Sequence, residues 1–118
     1  MTRGYDARRL SVAPCFLPNI ATGPYDIVAV GLAEDGRSYD WTIVSGGQPT
    51  EKQDDGLCTT KTGTYKGGLW LFTRAQVPSD ATMAAIKQKA NDLGISTSKL
   101  HKVAQEGCKY DEAFIKPK

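Results

Sequence analysis

The segment Gly68-Leu69-Trp70-Leu71-Phe72-Thr73-Arg74 constrains this chain most. It is too short for a helix of its own and apolar on both alternating faces. Leu69 and Leu71 share one side; Trp70 and Phe72 share the other, which ends on Arg74. A strand that is apolar on both sides must be covered on both sides. A helix predicted over 80–93 follows and can cover one of them. The other face then requires a core or a cavity. This pattern predicts a closed or strongly curved antiparallel sheet with a helix outside it. It points to a ligand-binding barrel rather than a doubly wound enzyme.

The rest of the chain supplies the other strands. Leu10-Ser11-Val12-Ala13 is a short alternating segment ended by Pro14. Phe16-Leu17-Pro18-Asn19 reads as a loop, because its prolines remove ladder donors. Gly23-Pro24 is a turn signal. Tyr25-Asp26-Ile27-Val28-Ala29-Val30 is rich in β-branched residues and reads as a strand. Glu34-Asp35-Gly36-Arg37 is a hairpin turn, and Tyr39-Asp40-Trp41-Thr42-Ile43-Val44 is the answering strand. Residues 45–68 hold six glycines and the charged cluster Glu51-Lys52-Gln53-Asp54-Asp55. They form a long loop, a lid or an insertion, with a small ribbon predicted over 57–65. The helix opens at Ser79 or Asp80 as N-cap and carries an apolar stripe of Met83, Ile86, Ala90 and Leu93. Gly94 is a C′ residue, after which Ile95 folds back on the last turn. A last short strand is predicted over 100–103, followed by a polar tail.

Composition narrows the class. At 118 residues, one domain over 1–118 is expected. Net charge is +2, and the basic residues form no long run, which argues against nucleic acid. No apolar run approaches the ~20 residues of a membrane span. The first nine residues lack the apolar centre of a signal peptide. The chain is therefore read as cytosolic, or as a mature or partial piece of an exported protein, and no compartment is assigned. Cys15, Cys58 and Cys108 lie far apart, and His101 is the lone histidine, so no metal site is expected. The odd cysteine count leaves at least one thiol free or one partner elsewhere.

The series of motifs resembles the C-terminal half of a lipocalin. The residues are Tyr25-Asp26-Ile27-Val28-Ala29-Val30-Gly31, Tyr39-x-Trp41-x-x-Val44-Ser45-Gly46 and Leu69-Trp70-Leu71-Phe72-Thr73-Arg74. The helix end Leu93-Gly94-Ile95-Ser96-Thr97-Ser98-Lys99-Leu100 and Gln105-Glu106-Gly107-Cys108 continue it. The likeness spans roughly 9–110 and is closest to apolipoprotein D-like, bacterial and plastid lipocalins. It implies a mainly β fold: a partial up-and-down antiparallel β-barrel, the second half, with one C-terminal α-helix and a short final strand. The family's opening Gly-x-Trp strand is missing; Gly68-Leu69-Trp70 fits that pattern only by chance. The family arginine that packs on that tryptophan is matched by Arg74, whose preferred reading is a structural cation stacked on aromatic rings. The family's closing cysteine usually bonds to one in the first half, which leaves the pairing of Cys58 and Cys108 open. Half a barrel has two open edges and exposes its inner face. Each lost apolar burial costs roughly 1.5–3 kcal/mol, against about 5–15 for a whole domain. This implies a fragment, or a chain completed by a partner, with self-association through open sheet edges as the lesser alternative.

Strand alternation, with the helix placed on the Trp70/Phe72 side, makes Tyr25, Ile27, Ala29, Trp41, Ile43, Leu69 and Leu71 the expected cavity lining. Polar specificity would come from Tyr25, Tyr39 or loop groups. The resemblance implies a non-enzymatic carrier of lipids, fatty acids, or retinoid- or carotenoid-like molecules, without a cofactor and without nucleic acid. Peripheral membrane association stays open. The alternatives are a lipocalin-scaffold isomerase or de-epoxidase and an inactive fragment. Catalysis would have to use Asp26, Asp40 or Cys15, none of which has a partner in the sequence. His101 reads as a half-exposed strand residue, and Asp54-Asp55 as solvated loop rather than a metal pair.

Overall fold

The computed structural model describes residues 8–13, 16, 22–63 and 67–114. Cys15, positions 17–19 of the predicted loop and Tyr65 of the predicted ribbon lie outside them, as do 115–118. The elements are β1 (Arg9–Val12), β2 (Gly23–Leu32), β3 (Tyr39–Ser45), β4 (Glu51–Lys52), β5 (Cys58–Thr59), β6 (Leu69–Thr73) and α1 (Asp80–Asp92). One sheet has the order β1-β2-β3-β6, with every neighbour antiparallel. The ribbon β4-β5 is separate. Gly23-Pro24 opens β2 instead of turning: Pro24 pairs with Ser11 and Gly23 with Val12. Proline is tolerated there because it sits at the start of its strand.

Local chemistry fixes the long hairpin and the helix. Asp35 accepts bonds from the backbone N–H groups of Arg37 at 2.9 Å and Ser38 at 3.0 Å, and from the Ser38 hydroxyl. Gly36 takes φ 67°, the left-handed conformation the turn requires. The N–H donors of Ser38, then Arg37, hold the Asp35 carboxyl below the usual carboxylate range. Ser79 caps α1 by accepting from the Thr82 N–H at 3.1 Å. At the other end Gly94 reverses the chain at φ 83°, and the Ile95 N–H bonds the Ala90 carbonyl at 2.9 Å. Ile86, Ala90 and Ile95 are buried, whereas Leu93, predicted for the stripe, is 47% exposed. Ile95 takes its place because the reversal at Gly94 turns it inward.

Two corrections follow from the packing. The helix does not cover Trp70 and Phe72. Its buried residues pack on Ile43, with Ala29, Trp41, Leu69, Leu71 and Met83 around them. Ile86 and Ala90 pack on Ile43, Leu69 and Leu71, with Trp41 beside them. The second correction concerns alternation along β2. Ile27 pairs with Val44 but Ala29 pairs with Ile43, so Val28 is an extra residue. A bulge of this kind reverses the facing of everything beyond it. Tyr25 and Ile27 therefore lie on the opposite face from Ala29, Trp41 and Ile43.

The predicted strand over 100–103 is also absent. Residues 100–114 form no strand or helix, and 101–114 are exposed throughout. A strand exists only where another strand supplies its ladder, and no described strand accepts this one. The chain is consequently mainly β, an antiparallel sheet of four strands with one helix, not closed into a barrel.

Candidate functional site

Ladder register defines the face that α1 leaves open. Trp70 on β6, Val44 on β3 and Ile27 on β2 stand in one cross-strand row. Phe72, Thr42 and Val30 form the next. Leu10 on β1 stands opposite Tyr25, which extends the face to the other edge. The Thr42 hydroxyl is turned to the Ala29 carbonyl at 3.1 Å, so its polar atom is satisfied and the row stays effectively apolar. Tyr25 and Trp70 flank β3, and their rings meet with centroids 5.9 Å apart and planes tilted by 34°. Such ring pairs add about 0.5–1.5 kcal/mol beyond their buried area. Val44, paired with Ile27 and Trp70 across the ladder, is buried, although no helix among the described residues covers this side. Trp70 and Phe72 themselves remain 38% and 44% exposed. Leu10, Val12, Val28, Val30 and Leu32 are exposed too.

The seven predicted lining residues are thus divided. Ala29, Trp41, Ile43, Leu69 and Leu71 form the bed of the helix. Only Tyr25 and Ile27 belong to the open face. Sequence reading missed Trp70, Phe72, Val30 and Val44 as members of it. Nothing in the residue types marks the bulge, because Val28 is β-branched like its neighbours. A groove of about 250 Å³ runs beside β2, lined by Arg8, Arg9, Asp26, Ile27, Val28, Gly47, Gln48 and Pro49. It is smaller than the roughly 300–1,000 Å³ of ordinary small-molecule pockets. The wider depression of about 450 Å³ between Glu51, Lys52, Thr60, Lys61 and Lys99 is polar and lies on the ribbon.

The remaining singled-out residues have structural surroundings. Arg74 donates from Nε to the Tyr39 carbonyl at 2.7 Å, and its own N–H bonds the Asp40 carbonyl. It clamps the β3–β6 end through a carbonyl, where aromatic rings are predicted. Cys58 and Cys108 are free thiols and are not joined to each other. Asp55 caps its own turn by accepting from the Leu57 N–H, and accepts from the buried Ser96 hydroxyl at 2.7 Å. The Cys58 N–H and carbonyl bond the backbone of Gly94 and Ser96. The 45–68 segment is therefore tied to the exit of α1 by its hairpin. Asp26 lies opposite Arg9 and Ser45, away from the open face, and His101 is exposed outside any strand. Among the described residues no group of acidic, histidine or cysteine side chains has metal-binding geometry, and no helix is long and apolar enough to cross a membrane.

Neither a family model, nor a curated protein, nor a solved structure matches this chain.

Proposed function

We propose that this chain binds a small hydrophobic molecule, without transforming it, on the open face of its sheet. The supporting observation is the row of apolar residues Trp70, Phe72, Val30, Ile27 and Leu10, which lies opposite the helix, with Arg8 across from Ile27 and Arg74 two residues beyond Phe72. Apolar contact there contributes about 25 cal/mol per Å² removed from water, before ordering costs. The Tyr25 hydroxyl is the group assigned to orienting a ligand, because its ring packs on Trp70. Flat or elongated molecules suit an open sheet face with aromatic rings at one side: a fatty acid, or a retinoid- or carotenoid-like chain. The resemblance of 9–110 to the second half of a lipocalin leads to the same carrier reading.

The test is a titration with all-trans-retinol, followed by its own fluorescence. Saturable enhancement is expected for the native chain, with unchanged retinol recovered afterwards. Phe72→Asp sets a charge on the apolar surface, and a buried unpaired carboxylate is strongly disfavoured. Its affinity should fall at least about tenfold, equivalent to 1.4 kcal/mol. Enhancement that never saturates, or a folded Phe72→Asp variant that binds as well as the native chain, would contradict the proposal.

A further inference from the structure

We propose that two copies of this chain close their open sheets into one eight-stranded antiparallel barrel. The sheet ends on β1 and β6. Among the described residues, β6 bonds only to β3 along its length. It reads Leu69-Trp70-Leu71-Phe72-Thr73, with no charge, no proline and no bulge. Free edges are normally blunted by such devices, and an unblunted one is a pairing site. The face beside it carries six exposed apolar side chains. Leu10, Val12, Val30, Leu32, Trp70 and Phe72 are each 37–60% exposed. Together they offer on the order of 600 Å², at the top of the ~300–600 Å² range of monomer patches. With the edge strands added, that approaches the ~800 Å² each partner contributes to a stable interface.

A second copy fits because both edges are complementary to themselves under one rotation. A two-fold axis perpendicular to the strands reverses strand direction, so β6 meets its copy antiparallel, and so does β1. Opposed residues must share a face. Leu71 then stands opposite Leu71 of the second copy, and Trp70 opposite Phe72 of the second copy, twice over. On the other edge Ser11 opposes Ser11, and Leu10 opposes Val12. Closure also demands a stagger between the two seams. Leu71 traces across the ladder through Ile43 to Ala29, whereas Ser11 traces to Pro24. Half the circuit thus carries a stagger of about five residues, and the whole circuit about ten, close to the shear of 8 found in an eight-stranded barrel. Both helices remain outside, and both open faces line one interior. That interior as a ligand cavity rests on the binding reading above; the assembly itself does not.

Sedimentation equilibrium of the full chain tests this over a wide range of concentration. A mass twice the 12.8 kDa of one chain is expected. Trp70→Lys, which points a charge into the seam, should halve that mass while circular dichroism stays native. Ser11→Cys, in a chain whose native cysteines are all serine, should form a disulfide-linked dimer on oxidation. A native chain that is monomeric at every concentration, or that grows beyond two copies, overturns the proposal. So does a folded Trp70→Lys dimer, or a Ser11→Cys chain that does not cross-link. A folded monomer that binds retinol would sink the assembly and leave the binding reading intact; a dimer that takes no retinol would do the reverse.

Discussion

Ile86→Ala should remove about 2–5 kcal/mol of stability, the usual cost of truncating a fully buried isoleucine. Ile86 is one of five buried hydrophobic residues among those described, with Ile43, Val44, Ala90 and Ile95. Ile43, Ala90 and Ile95 share its cluster under the helix, so the cavity left behind has few side chains to collapse into it. Alanine is the better helix former by at most about 0.7 kcal/mol, which does not offset the loss. Against a total of about 5–15 kcal/mol, the change is a large fraction of what holds the domain together. A urea melt followed by circular dichroism reads it as a lower midpoint with an unchanged slope. The exposed neighbour Lys87→Ala should leave the midpoint within about 0.5 kcal/mol of native. Equal midpoints for the two variants would show that the helix does not carry the core described here.

Gly31→Ala should also destabilise, although alanine at a strand position ordinarily helps. Removing glycine's unfolded-state freedom is worth about 0.4–1 kcal/mol in the variant's favour. The added Cβ, however, would fall on the Trp41 indole at Nε1 and Cε2. Trp41 stands directly across from Gly31 and lies over it, so the contact is with a ring held by the core, not with a mobile chain end. Overpacking of this kind costs about 1–3 kcal/mol and outweighs the entropic gain. The expected result is a lower thermal midpoint together with altered emission from Trp41. A higher midpoint would mean that the indole swings away freely, and that Trp41 is not fixed beneath the helix.

Much of the local structure is legible in the sequence. Asp35-Gly36 supplies both a side-chain acceptor and a positive φ, so the β2–β3 hairpin is written in two residues. Ser79 and Gly94 bracket α1, with Ile95 folding back, because caps are short-range chemistry. Facing is another matter. Alternation along Tyr25–Val30 is read on the assumption of an unbroken pleat, and the extra residue Val28 reverses it with no compositional mark. Both sides of Leu69–Thr73 are apolar, so hydrophobicity alone does not decide which one the helix covers. The side chosen from the sequence is the open one, and the lining set inherits that inversion. The 100–103 segment has strand-like residues, but no local pattern reveals whether a neighbouring edge will receive it. Single-residue turn chemistry is therefore readable here, whereas the choice between two apolar faces depends on tertiary packing.

The two tryptophans stand on opposite sides of the sheet, Trp41 under the helix and Trp70 on the uncovered side, which makes them separate reporters. Retinol quenching should be measured in Trp41→Phe, where only Trp70 emits, and in Trp70→Phe, where only Trp41 emits. Binding on the uncovered face predicts strong, saturable quenching in the first variant and a much weaker response in the second. Strong quenching of Trp41 with a silent Trp70 would place the guest beneath the helix and contradict the account.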